Sequence, residues 1–249
     1  MLNIDLKLFK KNHKKSKNQV LYHAIKSNGQ KEIENLINNF LNVRNSFVFE
    51  SVEKGFIKGR YTIFGKNPDK IWEFNNNNCV LKYENKRKKL RGTPKDNIEK
   101  IIENFNFKIP SELPPISSII SGYFSYDTIR YIEKIPNTTK NDLKIPDARI
   151  LRPKNLVVFD NVKKKLFFIV NCFFDEKIKN YQAKYDQIQK EIEEMIFLAN
   201  YSYKINQSET KISKPKVKSN ISKKKFLSNV SKAKNYIKIG DIFQVVLSQ

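Results

Sequence analysis

Two strand-forming runs with a short connection constrain this 249-residue chain more than any other feature. Leu156-Val157-Val158-Phe159-Asp160 is followed, after a turn near Asn161 that carries Lys163-Lys164-Lys165, by Leu166-Phe167-Phe168-Ile169-Val170. A parallel pair needs a crossover of a dozen or more residues, so these two runs form an antiparallel hairpin. A second hairpin is legible upstream, where Lys70–Phe74 and Cys79–Tyr83 flank the asparagine run 75–78. Asparagine tolerates left-handed backbone and bonds its own chain, which suits a tight reversal. Further β-rich stretches lie at Ser46–Glu50 and Arg60–Phe64, and Ile116–Phe124 is apolar and β-branched.

Helical spacing alternates with these strands. Ile33, Leu36, Ile37 and Phe40 predict a helix over Glu32–Leu41, and Asp96–Phe105 a second. Asp127–Glu133 can begin a helix ahead of Pro136. Ile178, Tyr181, Tyr185, Ile188, Ile192 and Met195 keep one face apolar over about five turns. Residues 1–20 read as a loose basic arm or a first strand. Hairpins with intervening helices indicate an α+β fold with largely antiparallel sheets.

Apolar density collapses over Tyr203–Asn220, which is read as a linker. This gives a mixed unit over 1–202, a linker over 203–220 and a helix–strand pair over 221–249. Ser222 is the expected helix cap, Phe226, Val230, Ala233 and Ile237 the stripe, and Gly240 the stop. Ile242–Leu247 is then expected as a buried strand. No repeat of fixed period is present.

The formal net charge is +23, an invitation to a nucleic-acid reading. Its texture points elsewhere, because only seven of the 48 cations are arginine, and base-reading surfaces favour the bidentate guanidinium. The lysines are spread along the whole chain and are read as a solvated surface, with no nucleic-acid partner. No apolar run approaches the roughly 18–20 residues that span a bilayer, and the N-terminus lacks a signal-peptide pattern. A cytoplasmic protein with no membrane partner is expected. Cys79 and Cys172 sit in apparent strands without CxxC spacing, so neither a disulfide framework nor a zinc site is expected. His13 and His23 are read as surface residues.

No Walker loop, GxGxxG or HExxH occurs. Three blocks nevertheless place polar residues at strand ends. Phe49-Glu50-Ser51-Val52-Glu53 ends an apolar run with a carboxylate and a hydroxyl. Gly59-Arg60-Tyr61-Thr62-Ile63-Phe64-Gly65 brackets a strand with glycines. Gly122–Tyr131 (GYFSYDTIRY) is dense in tyrosine, acid and arginine. Each alone is explained more readily by turn chemistry and strand packing than by a ligand site.

Taken in order, the blocks resemble component I of anthranilate synthase. Phe49-Glu50-Ser51 matches its LLES-like segment, and Gly59–Gly65 with Pro68 its GRYSxIG..P run. Gly122–Glu133 matches GY.SYD..RY.E, Pro146-Asp147-Ala148 with Val157–Asp160 matches the PD and VVFDH-type segments, and Ala233–Gln249 matches AK.YI..GDIFQVVLSQ. The resemblance runs from about residue 46 to residue 249.

It implies a fold of antiparallel sheets packed as a sandwich with outer helices. It implies a lyase that converts chorismate and ammonia to anthranilate and pyruvate in tryptophan biosynthesis, with a glutaminase subunit (component II) as ammonia source. Mg2+ would hold the chorismate carboxylate, and L-tryptophan would act as feedback inhibitor. Carried over, Glu50, Ser51 and Arg60 become the tryptophan-site candidates, a carboxylate pairing with the ammonium and a hydroxyl adding a hydrogen bond. Gln244 stands where water-adding relatives place a lysine. A lysine can act as general base, whereas glutamine only orients a nucleophile, so Gln244 fits amination. Family members are about twice this length, so the magnesium-binding glutamates and most catalytic groups are expected outside this chain, and this chain alone is expected to be inactive. Aminodeoxychorismate synthase large subunit remains an alternative, as does a free-standing amino-acid-binding module.

Overall fold

The structure is a computed structural model, and it describes residues 2–50, 59–138, 141–202, 216 and 218–248. The chain divides into two compact units, Met1–Lys204 and Ile205–Gln249. Ser51, Val52, Glu53 and most of the expected linker lie outside the described residues.

Among the described residues the first unit has eight antiparallel strands: β1 (Gln19–Lys26), β2 (Phe47–Phe49), β3 (Tyr61–Asn75), β4 (Asn78–Tyr83), β5 (Lys86–Lys89), β6 (Ser121–Phe124), β7 (Ala148–Asp160) and β8 (Lys165–Cys172). Their order is β1-β8-β7-β3-β4-β5, with β2 on β3 and β6 on β7. The hairpin that opened the sequence reading is β7–β8, in register from Asn155↔Val170 to Asp160↔Lys165. The α+β, antiparallel class with outer helices is the fold the chain has.

Two long strands organise everything else. The first half of β3 pairs with the second half of β7, from Tyr61↔Asp160 to Pro68↔Pro153. The second half of β3 pairs with the first half of β7, from Lys70↔Arg152 to Phe74↔Ala148. The sequence read β3 as two strands because Gly65-Lys66-Asn67-Pro68-Asp69 carries turn residues. Continuous pairing with β7 overrides that preference, and a register shift between Pro68 and Lys70 absorbs the irregularity. A bulge is also where a sheet tolerates proline, which has no amide to donate.

Alternation sorts the side chains between two faces. Val157, Phe159, Leu166, Phe168, Val170 and Cys172 join one cluster with Phe9, Leu36, Phe40, Phe64, Ile188 and Met195. That cluster is closed by α1 (Leu6–Lys14), α2 (Gln30–Phe40) and α4 (Tyr181–Asn200). Leu156, Val158, Phe167 and Ile169 point the other way and are covered by the 107–119 segment. The far half of the sheet buries Trp72, Phe74, Cys79, Ala148 and Ile150 under α3 (Pro94–Glu103).

The helices start where capping chemistry allows. Thr93 and Asp96 exchange a reciprocal capping box at α3, with Pro94 in its first turn. Asn180 caps α4 through the Ala183 amide at 3.0 Å, and Ile188, Ile192, Met195 and Ala199 form its buried stripe. Helix α1 corrects the reading of residues 1–20 as an arm or strand. Asp5 caps it through the Leu8 amide at 2.7 Å, and Phe9 is fully buried beneath its lysines. His13 is likewise half-buried rather than on the surface, its Nδ1 3.1 Å from the Tyr181 hydroxyl.

The second unit contains α5 (Lys223–Lys238), which has no buried residue. Ser222 accepts from the Lys225 amide at 3.3 Å, as the cap pattern requires. At the other end Gly240 takes φ +85°. Its amide reaches the Ile237 carbonyl at 3.2 Å and the Asp241 amide the Tyr236 carbonyl at 3.0 Å, a Schellman stop. The strand expected over Ile242–Leu247 is not formed. The segment is irregular and Phe243 is fully exposed. A strand is defined by a neighbour that takes its amides and carbonyls, and none of the described strands pairs with these residues.

Candidate functional site at the mouth of β2 and β3

Strand β2 pairs with β3 over Phe47↔Gly65, Val48↔Phe64 and Phe49↔Ile63. The antiparallel ladder therefore delivers Glu50, which is exposed, to the Arg60 end of β3. A Cβ on Gly65 would stand 2.2 Å from Cζ of Phe47, so the glycine is needed for that ring to lie across the strand. The Phe47 and Phe49 rings then sit 4.9 Å apart, centroid to centroid. Gly65 of the GRYTIFG block is thus a packing requirement that fixes where β2 ends and Glu50 begins.

Arg60 meets a fixed acid. Its Nη2 donates to Asp160 Oδ2 at 2.8 Å and its Nε lies 3.2 Å from Oδ1. Asp160 is buried, with the Val162 and Lys163 amides donating to the same carboxylate at 3.0 Å each. Burial by itself would raise this carboxyl, but the Arg60 hydrogen bonds, the two amides and the guanidinium charge outweigh it and hold Asp160 below the usual carboxylate range. The same hydrogen bonds raise Arg60 above its ordinary value. The guanidinium also lies 4.9 Å from the Tyr61 ring centroid. Among the described residues Nη1 makes no hydrogen bond.

Part of the tyrosine-rich block serves the fold, while Phe124 and Tyr126 are exposed. Gly122 passes so close to β7 that a Cβ would stand 2.0 Å from the Arg149 carbonyl oxygen. Asp147 accepts from the Tyr131 hydroxyl at 2.9 Å and from the Asn76 amide at 2.6 Å. Burial, with the hydrogen bond to Asp147 and its charge, pushes the Tyr131 phenol up. Arg130 bonds Asp127 at 2.8 Å and the carbonyls of Ile135 and Pro136. These polar groups satisfy one another in a turn.

Gln244 belongs to the second unit, where it is exposed in irregular chain. Of the sequence candidates, Glu50 and Arg60 are therefore delivered to the same end of β3, Ser51 lies outside the described residues, and Gln244 is described only within its own unit. Among the described residues no group of three or more His, Cys, Asp or Glu side chains could hold a metal ion. Burial pushes the Cys79 thiol up to about 11 and the Cys172 thiol to about 12, which makes both poor nucleophiles. Asp160 was missed by sequence reading. Its one signal is an acid closing the apolar run Leu156–Phe159.

A family model described as chorismate binding enzyme matches residues 45–249, more than four-fifths of the chain. The chain belongs to the chorismate-binding enzyme family. Among curated relatives of that family, "Anthranilate synthase component 1" of Cereibacter sphaeroides is 27% identical over 247 residues, 97% of this chain and 49% of the relative. "Anthranilate synthase component 1" of Acetivibrio thermocellus is 34% identical over 210 residues, 82% of this chain and 42% of the relative. The chain thus spans about half the length of these relatives. In three dimensions it is similar to the crystal structure of anthranilate synthase component I from Streptococcus pneumoniae TIGR4. That likeness has a TM-score of 0.58 at 21% identity and covers 82% of this chain and 43% of that one, a shared fold. Among the described residues no helix is long and apolar enough to cross a membrane.

Proposed function

We propose that this chain supplies the amino-acid-sensing part of an anthranilate synthase large subunit. In this reading residues 1–202 form the regulatory domain, 203–220 the linker and 221–249 the first part of the chorismate-binding catalytic domain. The whole enzyme would convert chorismate and ammonia to anthranilate and pyruvate, with a glutaminase subunit delivering the ammonia. Mg2+ would be held by residues outside this chain. Gln244 would orient the incoming nucleophile by hydrogen bonding, since an amide cannot take up a proton near neutral pH.

One observation carries the reading: the family match over residues 45–249 coincides with relatives named anthranilate synthase component 1. The mouth of β2 and β3 is the proposed L-tryptophan site. The carboxylate of Glu50 would receive the ligand's ammonium, Ser51 would add a hydroxyl contact, and the guanidinium of Arg60 would take the ligand's carboxylate. Calorimetric titration of the chain with L-tryptophan tests this. Saturable binding that Glu50→Ala, Ser51→Ala and Arg60→Gln each weaken supports the site. Binding untouched by all three, or no binding, removes it. With chorismate, ammonia and Mg2+ the isolated chain is expected to form no anthranilate, and fluorescence of the product is the readout.

A further inference from the structure

A cleft of the first unit lies beside the middle of β3, at the register shift between Pro68 and Lys70, and it is lined by charge. Its volume is about 730 Å3, and Asp69, Lys70, Arg152, Lys154, Asp175 and Glu176 contribute to its walls. Arg152 bonds Asp69 through Nε at 2.8 Å and through Nη2, and bonds Asp175 at 2.9 Å. Its guanidinium lies 3.7 Å from the Phe173 ring centroid. Lys70 completes this group on Asp175. Beside it, Glu176 accepts from Lys154 at 2.9 Å and from Lys184 at 2.5 Å.

Such a floor is not what stability alone selects. Arg152 is the buried charge at its centre, and burying a guanidinium costs desolvation that the attraction of Asp69 and Asp175 only about repays. The fold also accepts a bulge to build it, because Asp69 is the extra residue between the Pro68↔Pro153 and Lys70↔Arg152 pairs. Bulges re-aim side chains and concentrate beside functional sites. Burial opposes charge on Arg152 and Asp175 alike, yet their pairing holds Arg152 above and Asp175 below their ordinary values, so the floor stays charged and fixed.

The rim differs. Lys86, Arg87 and Lys177 also line the cleft, and none has an ion-pair partner among the described residues. Lys86 and Arg87 open β5, an edge strand of four cations that leaves the hairpin turn at Glu84-Asn85. The floor sets four cations, Lys70, Arg152, Lys154 and Lys184, against three acids, Asp69, Asp175 and Glu176, and Glu84 is the acid among the rim cations, so the cleft as a whole is positive and suits a ligand of opposite sign.

We propose that this cleft binds a small, multiply charged anion, whose phosphate or carboxylate oxygens are taken by Lys86, Arg87 and Lys177. The site is separate from the mouth of β2 and β3 and does not depend on a tryptophan site there. The test is calorimetric titration of the whole chain at low salt with two probes, sodium pyrophosphate and sodium citrate. Two charge-neutralised variants are compared, the rim variant Lys86→Gln/Arg87→Gln and a control, Lys223→Gln/Lys224→Gln, on α5. The rim side chains are exposed on an edge strand, so both variants should keep the wild-type melting temperature. Saturable one-to-one binding of either probe, weakened about tenfold or more by the rim variant and unchanged in the control, supports the site. Preference between the probes tells phosphate from polycarboxylate chemistry. Absence of saturable binding to both probes, or equal weakening by the two variants as general attraction to a +23 chain would give, overturns it.

Discussion

The segments Leu166–Val170 and Ile242–Leu247 are near equals as sequence, each a short run of β-branched and aromatic residues. In the first unit Leu166–Val170 is paired on both sides, with β1 and with β7, and Leu166, Phe168, Ile169 and Val170 are fully buried. In the second unit Ile242–Leu247 is irregular, with Phe243 fully exposed and Val246 79% exposed. β-propensity describes how a residue fits a pleated, half-buried surface, so without that surface the same composition makes no strand. A helix satisfies its own backbone, which is why α5 forms on a cap and a glycine stop with no buried residue.

The comparison can be broken by changes that act on one unit alone. The largest expected effect is with acid. Asp160, Asp175 and Glu176 sit below their ordinary values in the folded chain, so the unfolded chain binds their protons first. Their contribution is complete above the unfolded carboxylate values of about 4 and is lost as pH falls through the lowered native values. Strand circular dichroism followed from pH 7 to about pH 2 should show a steep loss over that window, shallower in Asp175→Asn. Next comes Phe64→Ala, which empties a fully buried site between β3 and Phe40 and should cost about 3–5 kcal/mol by urea unfolding.

Gly122→Ala should cost about 3 kcal/mol, since the Arg149 carbonyl that meets the new methyl is strand backbone and cannot step aside. Gly65→Ala meets only the far end of the Phe47 ring, so about 1 kcal/mol is expected. Its larger consequence is to move the end of β2, and L-tryptophan affinity should fall further than stability. Phe243→Ser removes an aromatic that touches little, and a change within about 0.5 kcal/mol is expected in the same unfolding experiment.

How much of this was legible depended on whether a residue's neighbours lay close in sequence. The β7–β8 hairpin, the cap of α5 and its glycine stop are local devices, and each was readable from a few residues. Helix α1 was hidden because its lysines outnumber Leu6 and Phe9, and only packing against Tyr181 and Tyr185 reveals the buried face. β3 was split by Pro68 because the strand that carries it through, β7, lies some 80 residues downstream. The site was legible in the same uneven way. Glu50 and Arg60 stood out as polar residues at strand ends, whereas Asp160, which holds Arg60, becomes visible only once β3 and β7 are paired. Arg152, Asp69 and Asp175 were scattered charges in sequence and one network in space.

The central proposal is that the mouth of β2 and β3 takes an amino acid, set beside the finding that Ile242–Leu247 forms no strand within its own unit. Hydrogen exchange on the whole chain, with and without L-tryptophan, tests both halves directly. Without ligand, β1, β7 and β8 should exchange at the slow global rate and residues 242–248 at the rate of unstructured chain. With ligand, added protection should be confined to Phe47–Glu50 and Arg60–Ile63. No added protection at those residues, or slow exchange across 242–248 in the free chain, would contradict the account.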